Sequence, residues 1–422
     1  MNSTQKLSSD TSSAPGKSPS SLSRLPLWWL KNKLEGADIS KIILTLNSGE
    51  EHRFGSVKNG VAIARVALHR PLAFMVAARS GITGLAESYI SGDWSTPDLL
   101  AVTDWAMANE KALDSLFEPN WLSRKIHRLA HLLNNNSRNG SRKNIAAHYD
   151  LGNDFYQPWL DSTMTYSSAL FHHENESLEQ GQHNKYRLIL DWLDVKPEQT
   201  VLEIGCGWGG FSRALAARTG SVYHGITLSK EQLAYARTKG KNADHQFSLT
   251  DYRDLSGQFD RLVSIEMIEA VGENHWPDYF QKVYDSLNPN GIAVLQVITI
   301  DEQRFEDYRK GADFIQRYIF PGGMLPSHQA MQSQIAAAGL KMEDSVAFGQ
   351  DYARTLNLWV KRFNACWPSM NLNGFDDRFH KMWNFYLAYC ETGFKCKSIN
   401  VRLYKLRKIM TTDREHDGAN VC

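Results

Sequence analysis

Apolar and polar positions along this chain repeat in two distinct ways. From about residue 146 onward, short apolar runs at 200–204, 221–226, 260–265 and 291–298 are separated by stretches with helical spacing. Strands that alternate with helices predict a parallel, doubly wound sheet, with ligands beyond the carboxyl ends of the strands. Earlier in the chain, Lys41 to Leu46 and Val61 to Leu68 read as strands, with Asn47-Ser48-Gly49 as turn chemistry after the first. A small α+β unit is expected there. Between these regions Leu122, Ile126, Leu129 and Leu133 recur at helical spacing among Arg124, Lys125 and Arg128, and no acid occurs from about 119 to 149. That pattern predicts a basic amphipathic helix followed by an Asn/Ser/Gly linker.

The expected organisation is a Ser-rich disordered tail over 1–24, an N-terminal α+β domain over 25–118, a basic helix and linker over 119–145, and a large α/β domain over 146–422. Leu25 to Lys33 mixes aromatic, aliphatic and basic residues, as either an interfacial segment or a packed helix would. The longest apolar run, Leu72 to Ala78, has seven residues, far short of a bilayer span. The tail lacks the apolar core of a signal peptide. A formal charge of +1 argues against broad nucleic-acid binding, and the two basic stretches, near 124–143 and at Lys395 to Lys408, carry no nucleic-acid motif. Anionic lipid headgroups are the expected partner of such basic stretches, with a solvated interdomain helix the alternative for the first. Five cysteines, at 206, 366, 390, 396 and 422, show no metal spacing, which points to a reduced cytoplasmic setting and no metal site.

The chemistry is concentrated where Gln199-Thr200-Val201-Leu202-Glu203-Ile204 runs into a turn with Gly205, Gly207, Gly209 and Gly210. Such a strand, turn and helix lets backbone approach a nucleotide-like ligand, and it serves dinucleotides as well. The next strand, Ser221 to Leu228, ends without the acid that would hold a dinucleotide ribose, and Glu203 would repel a pyrophosphate. A cationic, phosphate-free ligand such as S-adenosylmethionine fits better. Thr227 and Gln232 can bond its ribose, and Tyr252 can pack on adenine.

At these positions the chain resembles the cyclopropane fatty acid synthases and their mycolic acid methyltransferase relatives. The likeness rests on His148-Tyr149-Asp150-Leu151-Gly152-Asn153-Asp154, Met164-Thr165-Tyr166-Ser167, the glycine turn, Thr227-Leu228-Ser229-Lys230-Glu231-Gln232, Asp251-Tyr252-Arg253, Glu269, Tyr318 to Gly323 and Phe348 to Tyr352, in the family's order across about 145–410. The resemblance implies a class I methyltransferase of Rossmann-like fold, a lipid-carrier-like N-terminal domain, and a homodimer. It implies S-adenosylmethionine contacts at Tyr166, Ser167, Glu203, Gly205, Gly207, Gly209, Thr227, Gln232, Asp251 and Tyr252. The implied reaction is methylation of double bonds in unsaturated phospholipid at the inner face of the membrane, with cyclopropane formation as the default.

Ring closure needs a base, which in the synthases is attributed to bicarbonate held by a Cys, a Glu, a His and a Tyr. Glu269 and Tyr352 match two of these, whereas Ser168 stands for the Cys and Gln296 for the His. A neutral Gln cannot supply the charge-assisted bond of a protonated His. The product is therefore either a ring or a methyl-branched chain. Cys390 matches a cysteine called catalytic in the family, although alkene methylation needs no thiol and a structural role fits its setting. Aromatic faces suited to a carbocation are offered by Tyr166, Phe171, Tyr318, Phe320 and Tyr352. Glu266 matches nothing in that pattern, and reads either as a second acid beside Glu269 or as a solvent-facing strand end.

Overall fold

The computed structural model describes residues 28, 30–78, 80–116, 151–240, 242–370 and 374–409. The Ser-rich tail, the basic segment 119–145 and His148 to Asp150 lie outside the described residues. In the Leu25 to Lys33 segment Leu30 is buried in the N-terminal core while Trp28 is 62% exposed, so the described part is a packed helix with one outward ring.

The N-terminal unit opens on β1 (Ile42–Leu46) and β2 (Glu51–Phe54), an antiparallel hairpin whose turn uses Gly49 at φ 84°. Strand β3 (Ala64–Leu68) runs parallel to β1. After α1 (Pro71–Ala78) and α2 (Gly81–Ile90), the short β4 (Trp94–Ser95) closes the order β2-β1-β3-β4. Period-two alternation places Ile42, Leu44, Val66 and Leu68 on one face, where Trp94 and Trp105 cover them. Helices α3 (Leu99–Ala108) and α4 (Glu110–Leu116) follow, and the Asp98 carboxylate caps α3 by accepting from the Ala101 amide at 3.0 Å.

The larger unit begins with α5 (Asn153–Tyr156) and α6 (Leu178–Leu193), then alternates: β5 (Thr200–Ile204), α7 (Gly210–Ala216), β6 (Val222–Thr227), α8 (Lys230–Lys239), β7 (His245–Leu249), β8 (Phe259–Ile265), α9 (Trp276–Asp285) and β9 (Leu287–Ile300). Helices α10 (Glu302–Tyr308), α11 (Phe314–Tyr318) and α12 (His328–Ala337) lead to β10 (Leu340–Ala347), α13 (Gly349–Cys366), α14 (Asp377–Lys395) and β11 (Ile399–Lys408). The sheet order is β10-β11-β9-β8-β5-β6-β7, with β11 antiparallel to both of its neighbours. The chain winds outward in opposite directions from β5 and β8, so the crevice beyond their carboxyl ends is the topological switch point.

Two expectations change. Strands β7, β10 and β11 add to the four anticipated, and the basic stretch Lys395 to Lys408 is no lipid-facing segment. Val401, Leu403, Tyr404 and Leu406 are buried on β11 between two partner strands. Three of the stretch's six positive charges are paired: Lys405 and Arg407 with Glu343, and Lys395 with Asp104 at 2.5 Å. That last pair, with the Thr392 hydroxyl donating to Asp104 at 2.6 Å and meeting Thr103 at 2.7 Å, fastens α14 to α3 of the N-terminal unit. Among the described residues no helix is long and apolar enough to cross a membrane.

Candidate active site

The amides of Gly205 and Cys206 donate to the Ile226 carbonyl, at 3.0 and 2.9 Å, and fold the chain back at the end of β5. Gly205, Gly207 and Gly209 all take positive φ, at 84°, 50° and 77°. Among the described residues a Cβ at Gly207 would meet no atom within 4 Å, so the turn faces open space on that side. The resulting cavity is lined by Tyr166, Ser167, Glu203, Gly205, Gly207, Thr227, Gln232, Asp251 and Tyr252, all expected cofactor contacts. Gly209 does not line it. It is the N-cap of α7, where the Cβ of any other residue would come within 3.3 Å of Ala236.

The donor set fits a cationic, phosphate-free ligand. The Thr227 hydroxyl donates to the Gln232 amide oxygen at 2.8 Å, giving a neutral polar wall at the end of β6. Arg253, the one cation lining the cavity among the described residues, is held by both oxygens of Asp251, at 2.9 and 2.7 Å. Glu203 is buried against the Tyr223 hydroxyl, which donates to it, and burial pushes its carboxyl up to about 8. Lys185 was not anticipated from the sequence. It is wholly buried, donates to the Ser167 hydroxyl at 2.6 Å, and is pushed down to about 7 by burial, against the pull of Glu266, Asp161 and Glu203. Its helical spacing on α6 makes it look like a surface lysine.

A second cavity, of about 530 Å³, adjoins the first. Tyr166, Glu266 and Ala270 border both. Its walls are aliphatic and aromatic, among them Ile298, Phe320, Met324, Leu356, Tyr386 and Phe394, and its rim is polar, with Glu110 of α4 paired to Arg304 of α10. The volume suits a hydrocarbon chain entering between the two units. Tyr166, Phe320 and Tyr352 of the aromatic candidates face it. Phe171 instead lies under the Arg354 guanidinium at 3.8 Å, and Tyr318 is 40% exposed and donates to Glu87 at 2.5 Å. Cys390 lines the cavity, but burial drives its thiol far up, which leaves no thiolate nucleophile.

The acids are arranged differently from the expectation. Ser168, Gln296 and Tyr352 converge on Glu266 and not on Glu269. The Ser168 amide donates to Oε1 at 2.9 Å, Gln296 Nε2 to Oε1 at 2.7 Å, and the Tyr352 hydroxyl to Oε2 at 2.6 Å. Ser168 takes part through its backbone, since its hydroxyl donates to the Ala169 carbonyl at 2.9 Å. Neither Ser168 nor Gln296 borders either of these two cavities; both bond Glu266, which borders both. The signal in the sequence was an acid at the end of β8, and only the fold reveals its partners.

Glu269 accepts the Ile298 amide at 2.5 Å on one oxygen, while its other oxygen is buried without a partner. Burial, reinforced by the Glu266 charge, pushes it up to about 8. From the ordinary 4.5 to about 8 the native state therefore holds one proton more than the unfolded chain, so this group's contribution to stability falls as pH rises through that window. The Glu269→Gln variant is expected to gain on the wild type between pH 5 and 8 by up to a few kcal/mol, at about 1.4 kcal/mol per unit. Urea unfolding at both pH values checks this, and an unchanged difference would contradict it.

A Rossmann-like sheet with a phosphate-free nucleotide pocket at its switch point defines a class I S-adenosylmethionine-dependent methyltransferase. Residues 136–404 match the model of the mycolic acid cyclopropane synthetase family, and the chain belongs to that family. It is 38% identical to tuberculostearic acid methyltransferase UfaA1 of Mycobacterium tuberculosis, over 80% of this chain and 82% of that protein. To the cyclopropane-fatty-acyl-phospholipid synthase of Escherichia coli it is 34% identical, over 83% and 89%. The solved cyclopropane synthase MmaA2 of M. tuberculosis superposes with a TM-score of 0.59 at 31% identity, covering 63% of this chain and 98% of that one. The chain is thus an S-adenosylmethionine-dependent methyltransferase acting on lipid alkenes.

Proposed function

We propose that the protein methylates the double bond of an unsaturated acyl chain carried by a phospholipid, closing a cyclopropane ring. The junction of the two cavities at Tyr166, Glu266 and Ala270 carries this reading, because it brings a cofactor pocket against a space suited to a hydrocarbon chain. S-adenosylmethionine supplies an electrophilic methyl group, and its addition to the alkene leaves a carbocation that must lose a proton. The chain's own residues do the rest. Glu203, Thr227, Gln232, Asp251 and Tyr252 hold the donor, and the aliphatic walls exclude water that would trap the cation. Tyr166, Phe320 and Tyr352 turn aromatic surface toward the developing charge. The Ser168 amide and Gln296 hold the Glu266 carboxylate, Glu269 borders the acyl cavity beside it, and Cys390 packs the wall. The family likeness supports a peripheral association with the inner membrane face, and a homodimer.

A methyl-branched chain without a ring is the second reading. It is favoured by the donor set around Glu266, in which the Ser168 amide and Gln296 are already bonded to the carboxylate, and by the likeness to a relative named as a methyltransferase. Incubating the protein with trideuteromethyl S-adenosylmethionine and vesicles of monounsaturated anionic phospholipid, followed by mass spectrometry and proton NMR of the fatty esters, decides. A ring retaining two deuteriums supports the first reading. A branched alkene, with two deuteriums on an exocyclic methylene or three on a methyl, supports the second. No incorporation would overturn both.

A further inference from the structure

We propose that Glu266 is the resident anion of this active site and the base that receives the proton lost from the transferred methyl carbon, so that turnover needs no anion from solution. The proposal rests on the function proposed above. Four observations carry it. Glu266 borders both cavities, which places its carboxylate where the methyl donor and the acyl chain meet. Three donors from three separate elements are aimed at its two oxygens. Such a convergence is how a protein holds a carboxylate in one orientation with burial compensated. Its backbone is in the left-handed region at φ 49°, unusual for a residue with a side chain and a cost borne where position matters. Finally, the Glu266 amide donates to the Gln296 carbonyl at 2.8 Å, so the donor and the backbone that fixes its acceptor are locked together.

The donor set is thereby already used. An anion from solution would have to compete with a covalently attached carboxylate for the Ser168 amide, the Gln296 amide and the Tyr352 hydroxyl. Burial raises the Glu266 pKa, while those bonds and the Lys185 charge oppose the rise and favour the ionised form. Glu269, with a single donor and an unpartnered oxygen, lacks that support.

The step balances within the site. A C–H bond of the new methyl group breaks, and its electron pair closes the ring or, after a hydride shift along the chain, forms a C=C bond. The proton goes to a Glu266 oxygen. Cation and carboxylate become a neutral product and a neutral acid, which returns the proton to solvent before the next turnover.

The wild-type protein gives the first test, in buffer freed of carbon dioxide and again with added bicarbonate. Turnover is expected to be the same in both; a requirement for bicarbonate would overturn the proposal. Glu266→Gln and Glu266→Gly provide the second, with folding followed by circular dichroism and S-adenosylmethionine affinity by calorimetry. Glycine relieves the positive φ, so this variant removes the carboxylate without adding backbone strain. Turnover is expected to fall by about 10²–10⁴-fold in both, the range for loss of a positioned base, with cofactor affinity retained. Formate should restore part of the activity of Glu266→Gly, and 13C-formate should bind that variant but not the wild type in the absence of cofactor. Folded variants with wild-type turnover would overturn the proposal, and so would an inactive Glu266→Gly that neither binds formate nor responds to it. Should the wild type form no methylated lipid at all, the functional reading fails instead.

Discussion

Gly207→Val is expected to give a folded protein that has lost S-adenosylmethionine binding by about 100-fold or more. At φ 50° a β-branched residue is strained by about 1–3 kcal/mol, which a domain of this size tolerates. Among the described residues no atom lies within 4 Å of the new Cβ, so the fold meets no clash there. The isopropyl group instead occupies cavity space that the ligand needs, and a loss of about 2.7 kcal/mol in binding is already 100-fold. Calorimetric titration with S-adenosylhomocysteine, beside a urea unfolding curve, separates the two effects. Retained affinity in the folded variant would show that the cofactor does not pass over Gly207. Gly210 makes the contrast, because its Cβ would fall 2.4 Å from the Tyr186 hydroxyl and damage would reach the core.

The second large effect is expected from Trp359→Ala on α13. Trp359 is fully buried, and its ring lies 5.1 Å from that of Tyr166, 5.8 Å from Trp159 and 6.1 Å from Tyr352. Truncating a buried tryptophan costs about 3–5 kcal/mol, partly as lost transfer energy and partly as a cavity. The same cavity releases the rings that back Tyr166, at the junction of the two cavities, and Tyr352, a donor to Glu266. Methyl transfer should therefore fall further than the loss of folded protein explains, with Trp359→Phe intermediate in both. Destabilisation under about 1 kcal/mol would mean that the aromatic cluster relaxes around the gap.

Much of the cofactor half of the site was legible in the sequence, because its signals are local. A strand, a glycine turn and a helix start are contiguous, and the absence of an acid after the second strand is read in a single window. The acyl half was not. Its walls come from β9, α11, α13 and α14, whose lining residues run from Ile298 to Phe394, and an apolar residue facing a cavity has the same periodicity as one facing the core. The basic stretch at Lys395 to Lys408 misled for a related reason. An antiparallel strand between two neighbours hides its apolar positions while Lys405 and Arg407 find Glu343 on the adjacent β10, and spacing alone does not distinguish that from a lipid-facing face.

Glu266 shows the division most clearly. By itself the sequence determined the methyltransferase sheet, the cofactor and the family, since periodicity and short motifs carry them and each needs only neighbours along the chain. Which carboxylate Ser168, Gln296 and Tyr352 serve was decided by tertiary structure, because hydrogen bonds need atoms within about 3 Å and these residues lie up to 98 positions from Glu266 along the chain. Only the packing of β8, β9 and α13 brings the donors to one acid, and only burial among them makes that acid costly to leave unpaired.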